Sequence, residues 1–455
     1  MLKVLKFGGT SVGTIDSLRN VKAIVEGLDA PAIVVVSALG GLTDKLIATA
    51  NSSAEGSEHY REEMVNIRKR HHDIINELVP DDKKGRVTEE VDRLLNLLEE
   101  RYQGLSLIKT LPVKTLDEIV SFGERMSSVI VAAIIAGAEH RNSLDFVKTE
   151  KWFNRNIADR PLTERLIKET FRLPLTNHIV TGGFISTDRD TGEITNLGRG
   201  GSDYTAALIA AALDADLLEI WTDVDGFLTA DPRIIKDARI IPEMSFVESM
   251  ELCSFGAKVI YPPTIYPVFH KNIPIKILNT FNPTAPGTHI SDNVVGKGRV
   301  RGVSSLNNTA MVTMSGPLTA NVAEINSRAY NAMARNGISV FMVAQPSEES
   351  SFSIAMPSGD SEKALEQLVL EFSPELQTGE LRSIDKTDNL SVVALVGEGI
   401  KNVRNLGNEI VAALKSAGID VKAISAGASE TTVAAVVPSD SVKDALRVSH
   451  SVCFK

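Results

Sequence analysis

Cysteine is nearly absent from this chain. Cys253 and Cys453 are the only two among 455 residues, too few for a disulfide framework or a thiolate metal site. No apolar run approaches the roughly 18 residues that a membrane-crossing helix requires. The opening Met1-Leu2-Lys3-Val4-Leu5-Lys6 lacks the apolar core of a signal peptide. A cytoplasmic protein is expected, with no membrane partner. No GxxxxGK followed by Ser or Thr occurs, so the Walker phosphate loop is excluded. Positive charge is in deficit: the net charge of −10 argues against a nucleic-acid partner and leaves room for a local basic pocket. What is present is ordinary. Hydrophobic residues make up 43% and charged residues 23%, an ordinary soluble balance that argues against disorder. The length holds about two to four domains.

The chain is organised around its first strand and the turn after it, Val4-Leu5-Lys6-Phe7-Gly8-Gly9-Thr10-Ser11. Glycines let backbone amides approach an anion, a following helix N-terminus adds unpaired donors, and a strand-end lysine adds a point charge. A helix is predicted from about Thr14. Taken alone, the segment reads equally as a phosphate cradle or as a plain strand–helix turn. Ala32-Ile33-Val34-Val35-Val36 then predicts a strand covered on both faces. It ends in a second small, hydroxyl-bearing turn, Ser37-Ala38-Leu39-Gly40-Gly41-Leu42-Thr43, at the strand end where open α/β sheets place ligands.

Apolar stripes predict a helical pair over 60–78 and 91–102, with Pro80 and Gly85 between. His71 and His72 are neighbours and cannot face one metal from a helix. A helix is predicted over 127–137, with Glu124 in its opening turn, where the helix dipole favours an acidic residue. Residues 152–173 read as a mixed connection and 178–185 as one strand through two glycines. Leu197-Gly198-Arg199-Gly200-Gly201-Ser202-Asp203 is a further glycine turn, before an alanine-rich helix over 205–213. Ser202 or Asp203 suits an N-cap, and Arg199 suits bidentate recognition of a carboxylate or phosphate. Two such loops, one with Lys and one with Arg and Asp, make phosphoryl transfer the leading reading. A strand over 217–221 ends in Thr222-Asp223-Val224-Asp225-Gly226, which lacks the spacing of a calcium loop and reads as a polar loop able to hold a nucleotide. Lys258 is a further phosphate candidate, and 275–278 a further strand.

Residues 311–357 repeat at 392–438 with a constant offset, matching Val312 with Val393, Gly316 with Gly397, Asn321 with Asn402, Gly337 with Gly418, Val340 with Val421, Glu349 with Glu430 and Pro357 with Pro438. Each copy reads strand, helix, strand, turn, strand, helix, the order of a ferredoxin-like module. The repeat disposes of a dinucleotide reading of Gly397-Glu398-Gly399, whose partner Gly316-Pro317-Leu318 keeps one glycine.

Lys6–Val12, Gly198–Asp203, Trp221–Gly226, Asp231-Pro232-Arg233 and Phe255–Lys258 stand in the order found in aspartokinases, which the chain resembles over its whole length. The repeat resembles that family's paired ACT domains. The helical pair and residues 306–317 are most similar to the kinase half of bifunctional aspartokinase–homoserine dehydrogenases, without the dehydrogenase half. The resemblance implies an α/β fold: an amino-acid-kinase three-layer sandwich with a mostly parallel sheet over 1–300, including the helical pair 60–102. Two ferredoxin-like ACT domains follow over 301–390 and 391–455, the second free to interleave with the first. It implies transfer of the ATP γ-phosphoryl group to the side-chain carboxylate of L-aspartate, the first step of lysine, threonine and methionine biosynthesis.

By the same resemblance Lys6 contacts the transferring phosphoryl, and Gly8 and Gly9 donate amides. Asp203 orients Lys6 or assists the metal-bound phosphates. Arg199 clamps the substrate α-carboxylate, Glu124 meets the α-ammonium, and Ser37, Thr43 and Ser202 add hydrogen bonds. Thr222, Asp223, Phe227, Arg233 and Lys258 hold ATP, with Mg²⁺ carried mainly by the nucleotide and no dedicated protein metal site. Ser339, Val340 and Gln345 contact an amino-acid effector, threonine or lysine, and the ACT domains assemble a homodimer or larger homo-oligomer. Leu228 stands where many relatives carry tyrosine, and Ala426 replaces the second copy's counterpart of Gln345. Two other functions stay open: a kinase of glutamate or acetylglutamate type, and a non-catalytic amino-acid-binding regulator.

Overall fold

The computed structural model describes residues 1–152, 155–294, 296, 298–316, 322–345, 351–403, 405–426 and 429–454. Asn321, Glu349, Pro317 and Leu318 of the repeat lie outside them. The chain forms two compact units. The first comprises Met1–Phe227, Pro242–Phe246 and Val259–Asn293; the second comprises Leu228–Ile241, Val247–Lys258 and Val294–Lys455.

In chain order the elements are β1 (Lys3–Phe7), α1 (Ile15–Glu26), β2 (Ile33–Val36), α2 (Leu42–Ala54), α3 (Tyr60–Leu78), α4 (Asp81–Ile108), α5 (Val113–Ile134), β3 (Glu139–His140), β4 (Lys148–Trp152), β5 (Arg155–Ala158), α6 (Arg160–Thr170), β6 (Ile179–Gly182), β7 (Ile185–Asp188), β8 (Ile194–Asn196), α7 (Gly201–Ala212), β9 (Leu217–Thr222), β10 (Glu243–Met244), α8 (Phe246–Ser254), α9 (Tyr266–Phe269), β11 (Ile275–Asn279) and β12 (Thr288–Ile290). An eight-stranded sheet in the order β10-β12-β11-β9-β1-β2-β6-β3 is the spine of the first unit. It is parallel except between β11 and β12. All four residues of β2 are buried, as a strand covered on both faces must be. Alternate residues turn to opposite faces. Leu5, Phe7, Val34 and Val36 join a core with the apolar stripes of α1 to α5, while Lys6 turns the other way and meets Asp203 of α7. A second sheet, β5-β4-β7-β8, completes the unit.

Several boundaries differ from those the pattern predicts. α4 begins at Asp81, not near 91: Pro80 precedes it, Asp81 and Asp82 occupy its dipole-favoured first turn, and nothing crowds Gly85. α5 starts at Val113, which puts Glu124 in its middle rather than its first turn and removes the dipole account of that residue. Residues 178–185 form two strands in two sheets, broken at Gly183 and at Phe184 with φ 66°. The connection over 152–173 holds β5 and α6, the latter capped by Asp159. α7 begins at Gly201 after Gly200, so neither Ser202 nor Asp203 is its N-cap.

The second unit carries β13 (Gly302–Ser315), α10 (Val322–Arg335), β14 (Met342–Ala344), β15 (Ser351–Pro357), α11 (Ser361–Glu371), α12 (Ser373–Thr378), β16 (Ser383–Val396), α13 (Leu406–Ser416), β17 (Ala423–Ser425), β18 (Thr432–Pro438) and α14 (Val442–Cys453). Its sheet runs β14-β15-β13-β16-β18-β17. The two long strands explain the repeat. Thr309–Ser315 of β13 pair with β15, Leu390–Val396 of β16 pair with β18, and β13 and β16 run antiparallel along their length. Residues 383–387 therefore supply the last strand of the first module, and residues 302–306 supply that of the second. The two ACT modules are interleaved. A Cβ on Gly397 would collide with the Arg299 carbonyl, so that glycine serves close backbone packing rather than a nucleotide.

Candidate active site

The two opening glycine turns sit side by side at the carboxyl ends of β1 and β2. Ser37 N–H donates to the Phe7 carbonyl, extending the parallel pairing by one step. A Cβ on Gly40 would stand 2.9 Å from the Gly9 carbonyl oxygen, so the turns abut only because that side chain is missing. Thr14 closes the first turn as the N-cap of α1, accepting from Ser17 N–H at 3.1 Å while its own N–H donates to Ser17 Oγ at 2.9 Å. Gly8 does not offer its amide to a ligand, because that N–H donates to the Trp221 carbonyl at 3.1 Å. The Gly9 amide makes no such backbone bond.

The third glycine turn is built by the same device. Gly198 and Gly200 both have φ 71°, and a Cβ on Gly183 would lie 2.6 Å from Ser202 Cα. α7 can therefore press its N-terminus onto the break between β6 and β7. That places Asp203 against the strand-end lysine, Lys6 Nζ to Asp203 Oδ1 at 2.7 Å, with both side chains largely buried. The contact is an ion pair without hydrogen-bond alignment, and Asp203 Oδ1 has no hydrogen-bond partner. Arg199 is exposed, its guanidinium 5.5 Å from the centre of the Tyr261 ring.

These turns enclose a cavity of about 730 Å³ lined by Lys6, Gly9, Ser37, Thr43, Glu124, Arg199, Ser202 and Asp203, among others. Every residue expected to bind substrate lines it, drawn from five elements or turns between Ser37 and Ser202. Glu124 is its deepest charge-bearing group. Gly123 lets α5 approach the Ser37–Gly41 turn, since a Cβ there would meet Ala38 Cβ at 2.6 Å. The Glu124 side chain is 4% exposed and its Oε2 has no hydrogen-bond partner. Burial pushes its carboxyl up to about 8, against the pull of the Ala38 amide.

Of the residues expected to bind the nucleotide, Gly9 lines this cavity, whereas Gly8, Thr222, Asp223, Phe227, Arg233 and Lys258 do not. Thr222 ends β9 and Asp223 follows it, half-buried and exposed respectively, with Thr222 Oγ1 donating to Asp223 Oδ1 at 3.3 Å. Phe227 is 1% exposed, and its amide donates to Thr288 Oγ1, so its ring belongs to the core and has no face to offer a nucleotide. Leu228, Arg233 and Lys258 fall in the second unit. Leu228 bridges to Ile240. Arg233 is paired with Asp231 at 2.7 Å and Lys258 is exposed. Ser339 and Gln345 are exposed and Val340 half-buried; Gln345 Oε1 accepts from Asn326 Nδ2 at 3.0 Å.

Asp117, Phe184 and Asn196 are among the cavity residues that the sequence does not single out. Asn196 Nδ2 donates to Asp117 Oδ1 at 2.5 Å, and Asn196 Oδ1 accepts the Gly198 amide at 3.0 Å, which fixes the turn that carries Arg199. Burial raises the Asp117 carboxyl above the usual range. Phe184 forms an apolar wall. The positive φ of Phe184 leaves no local signal. Asn196 two residues before a glycine was the one clue. Among the described residues, no group of three or more His, Cys, Asp or Glu could hold a metal ion, and no helix is long and apolar enough to cross a membrane.

Comparison with known proteins agrees with this architecture. The model of the amino acid kinase family matches residues 1–279, and that of the ACT domain matches 312–372 and 393–452. The bifunctional aspartokinase/homoserine dehydrogenase of Haemophilus influenzae is 35% identical over 471 residues, covering 100% of this chain and 56% of that protein. The chain thus spans about half the length of the bifunctional relatives it matches. The lysine-sensitive aspartokinase 3 of Escherichia coli is 30% identical, with 99% of each chain covered. A crystal structure of E. coli aspartokinase III with aspartate and ADP superposes with a TM-score of 0.84 at 30% identity, covering 100% of both chains. The chain belongs to the amino acid kinase family and, within it, to the aspartokinases.

Proposed function

We propose that this protein transfers the γ-phosphoryl group of ATP to the side-chain carboxylate of L-aspartate, giving 4-phospho-L-aspartate and ADP. One observation carries the reading. A buried carboxyl at Glu124 with its Oε2 lacking a hydrogen bond, an exposed guanidinium at Arg199 and the Lys6–Asp203 pair line a single cavity. That arrangement complements an α-amino acid, ammonium on Glu124 and α-carboxylate on Arg199, with its second carboxylate directed at Lys6. The related E. coli enzyme crystallised with aspartate and ADP supports the same pairing of substrates.

The substrate carboxylate attacks directly. An oxygen–phosphorus bond forms to the γ-phosphorus, the bond from that phosphorus to the β,γ-bridging oxygen breaks, and ADP leaves. No protein nucleophile is needed, so this chain contributes position and charge. Lys6 neutralises charge on the transferring group, the free Gly9 amide and Ser202 donate hydrogen bonds, and Asp203 holds the lysine in place. Ser37 and Thr43 hold the substrate, and Thr222 and Asp223 receive the nucleotide. A magnesium ion carried on the nucleotide phosphates would supply further charge neutralisation when bound, and Asp203, whose Oδ1 is ion-paired with Lys6, is the carboxylate that would assist it.

Turnover is feedback-regulated through the ACT modules, with Ser339, Val340 and Gln345 at the effector site. The lysine sensitivity named for the E. coli relative favours lysine. Edge strands β14 and β17 leave backbone groups to pair with a second copy, which fits a homodimer acting in the cytoplasm. Phosphorus NMR of the protein with ATP, Mg²⁺ and aspartate tests the reading. An acyl-phosphate resonance appearing alongside ADP is expected, and ADP with inorganic phosphate alone contradicts it.

A further inference from the structure

Arg70 is a half-buried cation on α3, one residue before the fully buried His71. Among the described residues no carboxylate pairs with it, and burial moves its pKa downwards. Its Nη2 donates to two carbonyls instead, that of Gly13 at 2.7 Å and that of Gly40 at 2.9 Å. Those carbonyls belong to the turns after β1 and β2, the two that meet at the Gly9 carbonyl. A half-buried guanidinium spent on neutral acceptors is an expensive way to hold a fold, since the same desolvation could be offset by a carboxylate.

Glycine at 13 and 40 leaves both peptide planes free to rotate. In a trans peptide the carbonyl and the following amide point opposite ways. Holding the Gly40 carbonyl on one side therefore sends the Gly41 N–H to the other. Gly41 lines the cavity, and its amide has no backbone partner. Holding the Gly13 carbonyl likewise sets the Thr14 peptide, whose N–H enters the capping box of α1.

We infer that Arg70 is a positioning residue for phosphoryl transfer, a single guanidinium nitrogen that clamps the two glycine turns from outside the cavity so that the Gly41 amide faces into it. Arg70 does not line the cavity, so it acts only through the turns. This rests on the phosphoryl-transfer reading above. Lysine in its place keeps the charge and gives up the planar fork.

The test compares the full chain with Arg70→Met and Arg70→Lys by steady-state kinetics and by amide hydrogen exchange over residues 8–14 and 38–43. Arg70→Met is expected to lower kcat about 10- to 100-fold, the cost of a small misplacement of reacting groups. KM for aspartate should change less than kcat, because Glu124 and Arg199, the groups proposed to hold the α-ammonium and α-carboxylate, lie outside the clamp, although Ser37 and Thr43 lie within it. Exchange should rise in both turns and stay unchanged in α4 and α7, with Arg70→Lys intermediate. A kcat within about twofold of the parent, or a lower kcat with unchanged exchange in the turns, overturns the inference. Should Arg70→Met not fold, Arg70→Lys decides: reduced kcat with faster exchange in the turns supports the clamp, and parental values overturn it. If the parent shows no aspartate-dependent turnover, the phosphoryl-transfer reading itself fails, and only the exchange arm can then keep Arg70 as a structural clamp.

Discussion

A carboxyl buried as deeply as Glu124 costs free energy whenever it is ionised, and a bound cation offsets that cost. Its pKa of about 8 in the empty site means that it is protonated at neutral pH. An ammonium ion must displace that proton before it can pair. KM for aspartate is therefore expected to fall as pH rises towards 8 and then level, followed by initial rates at saturating ATP. Glu124→Gln should raise KM about 10- to 100-fold, the cost of an unpaired charged group, and flatten that profile. A profile unchanged by the substitution would contradict the assignment. The same raised pKa bears on folding. The contribution is fully present below the unfolded value of about 4.3 and is lost as pH rises to the folded value. The empty protein should thus lose stability across that window, and the Gln variant should not, as read by melting temperature. Lys6→Met is expected to reduce kcat by about 10²- to 10³-fold, and near-parental turnover would remove the mechanism. At this scale the sequence was legible where the signal is local: Lys6, Arg199 and Ser202 stand in or beside glycine turns, and the fold brings them to one cavity. Asp117 and Asn196 were not legible, because their partnership spans 79 positions.

Elements meet at this site through missing side chains. Gly183 shows the point: a Cβ would stand 2.6 Å from Ser202 Cα, a backbone atom that cannot step aside cheaply. Gly183→Ala is expected to destabilise the protein by about 1–3 kcal/mol, the range for overpacking. It should also lower kcat/KM by shifting the start of α7, where Ser202 and Asp203 lie. A melting temperature and kcat/KM both equal to the parent's would contradict the account. The strands were legible because a doubly covered sheet demands continuous apolar runs, as in Ile33–Val36. The start of α5 was not. Gly123 reads as a boundary in sequence, yet in the fold it is the contact that allows a helix interior to touch a turn.

For the whole molecule, the repeat foretold two modules, and its strict offset is kept strand for strand. Interleaving was hidden because each 14-residue strand serves both modules and carries no turn signal where it changes partner. The modules also differ where an effector would bind. Asn326 and Gln345 are hydrogen-bonded in the first, whereas Gly407 and Ala426 hold the corresponding positions in the second and leave no polar group there. The effector site proposed above accordingly lies in the first module. Gln345→Ala should weaken inhibition about tenfold or more while sparing uninhibited turnover, and unchanged effector sensitivity would remove that site.

The central claim is the reaction. Trapping aspartyl phosphate as its hydroxamate tests it most directly, with ATP and Mg²⁺ and either L-aspartate or L-glutamate, each with and without lysine or threonine. The account predicts hydroxamate from aspartate alone, reduced by one of the two amino acids. No hydroxamate from aspartate, or an equal yield from glutamate, would contradict it.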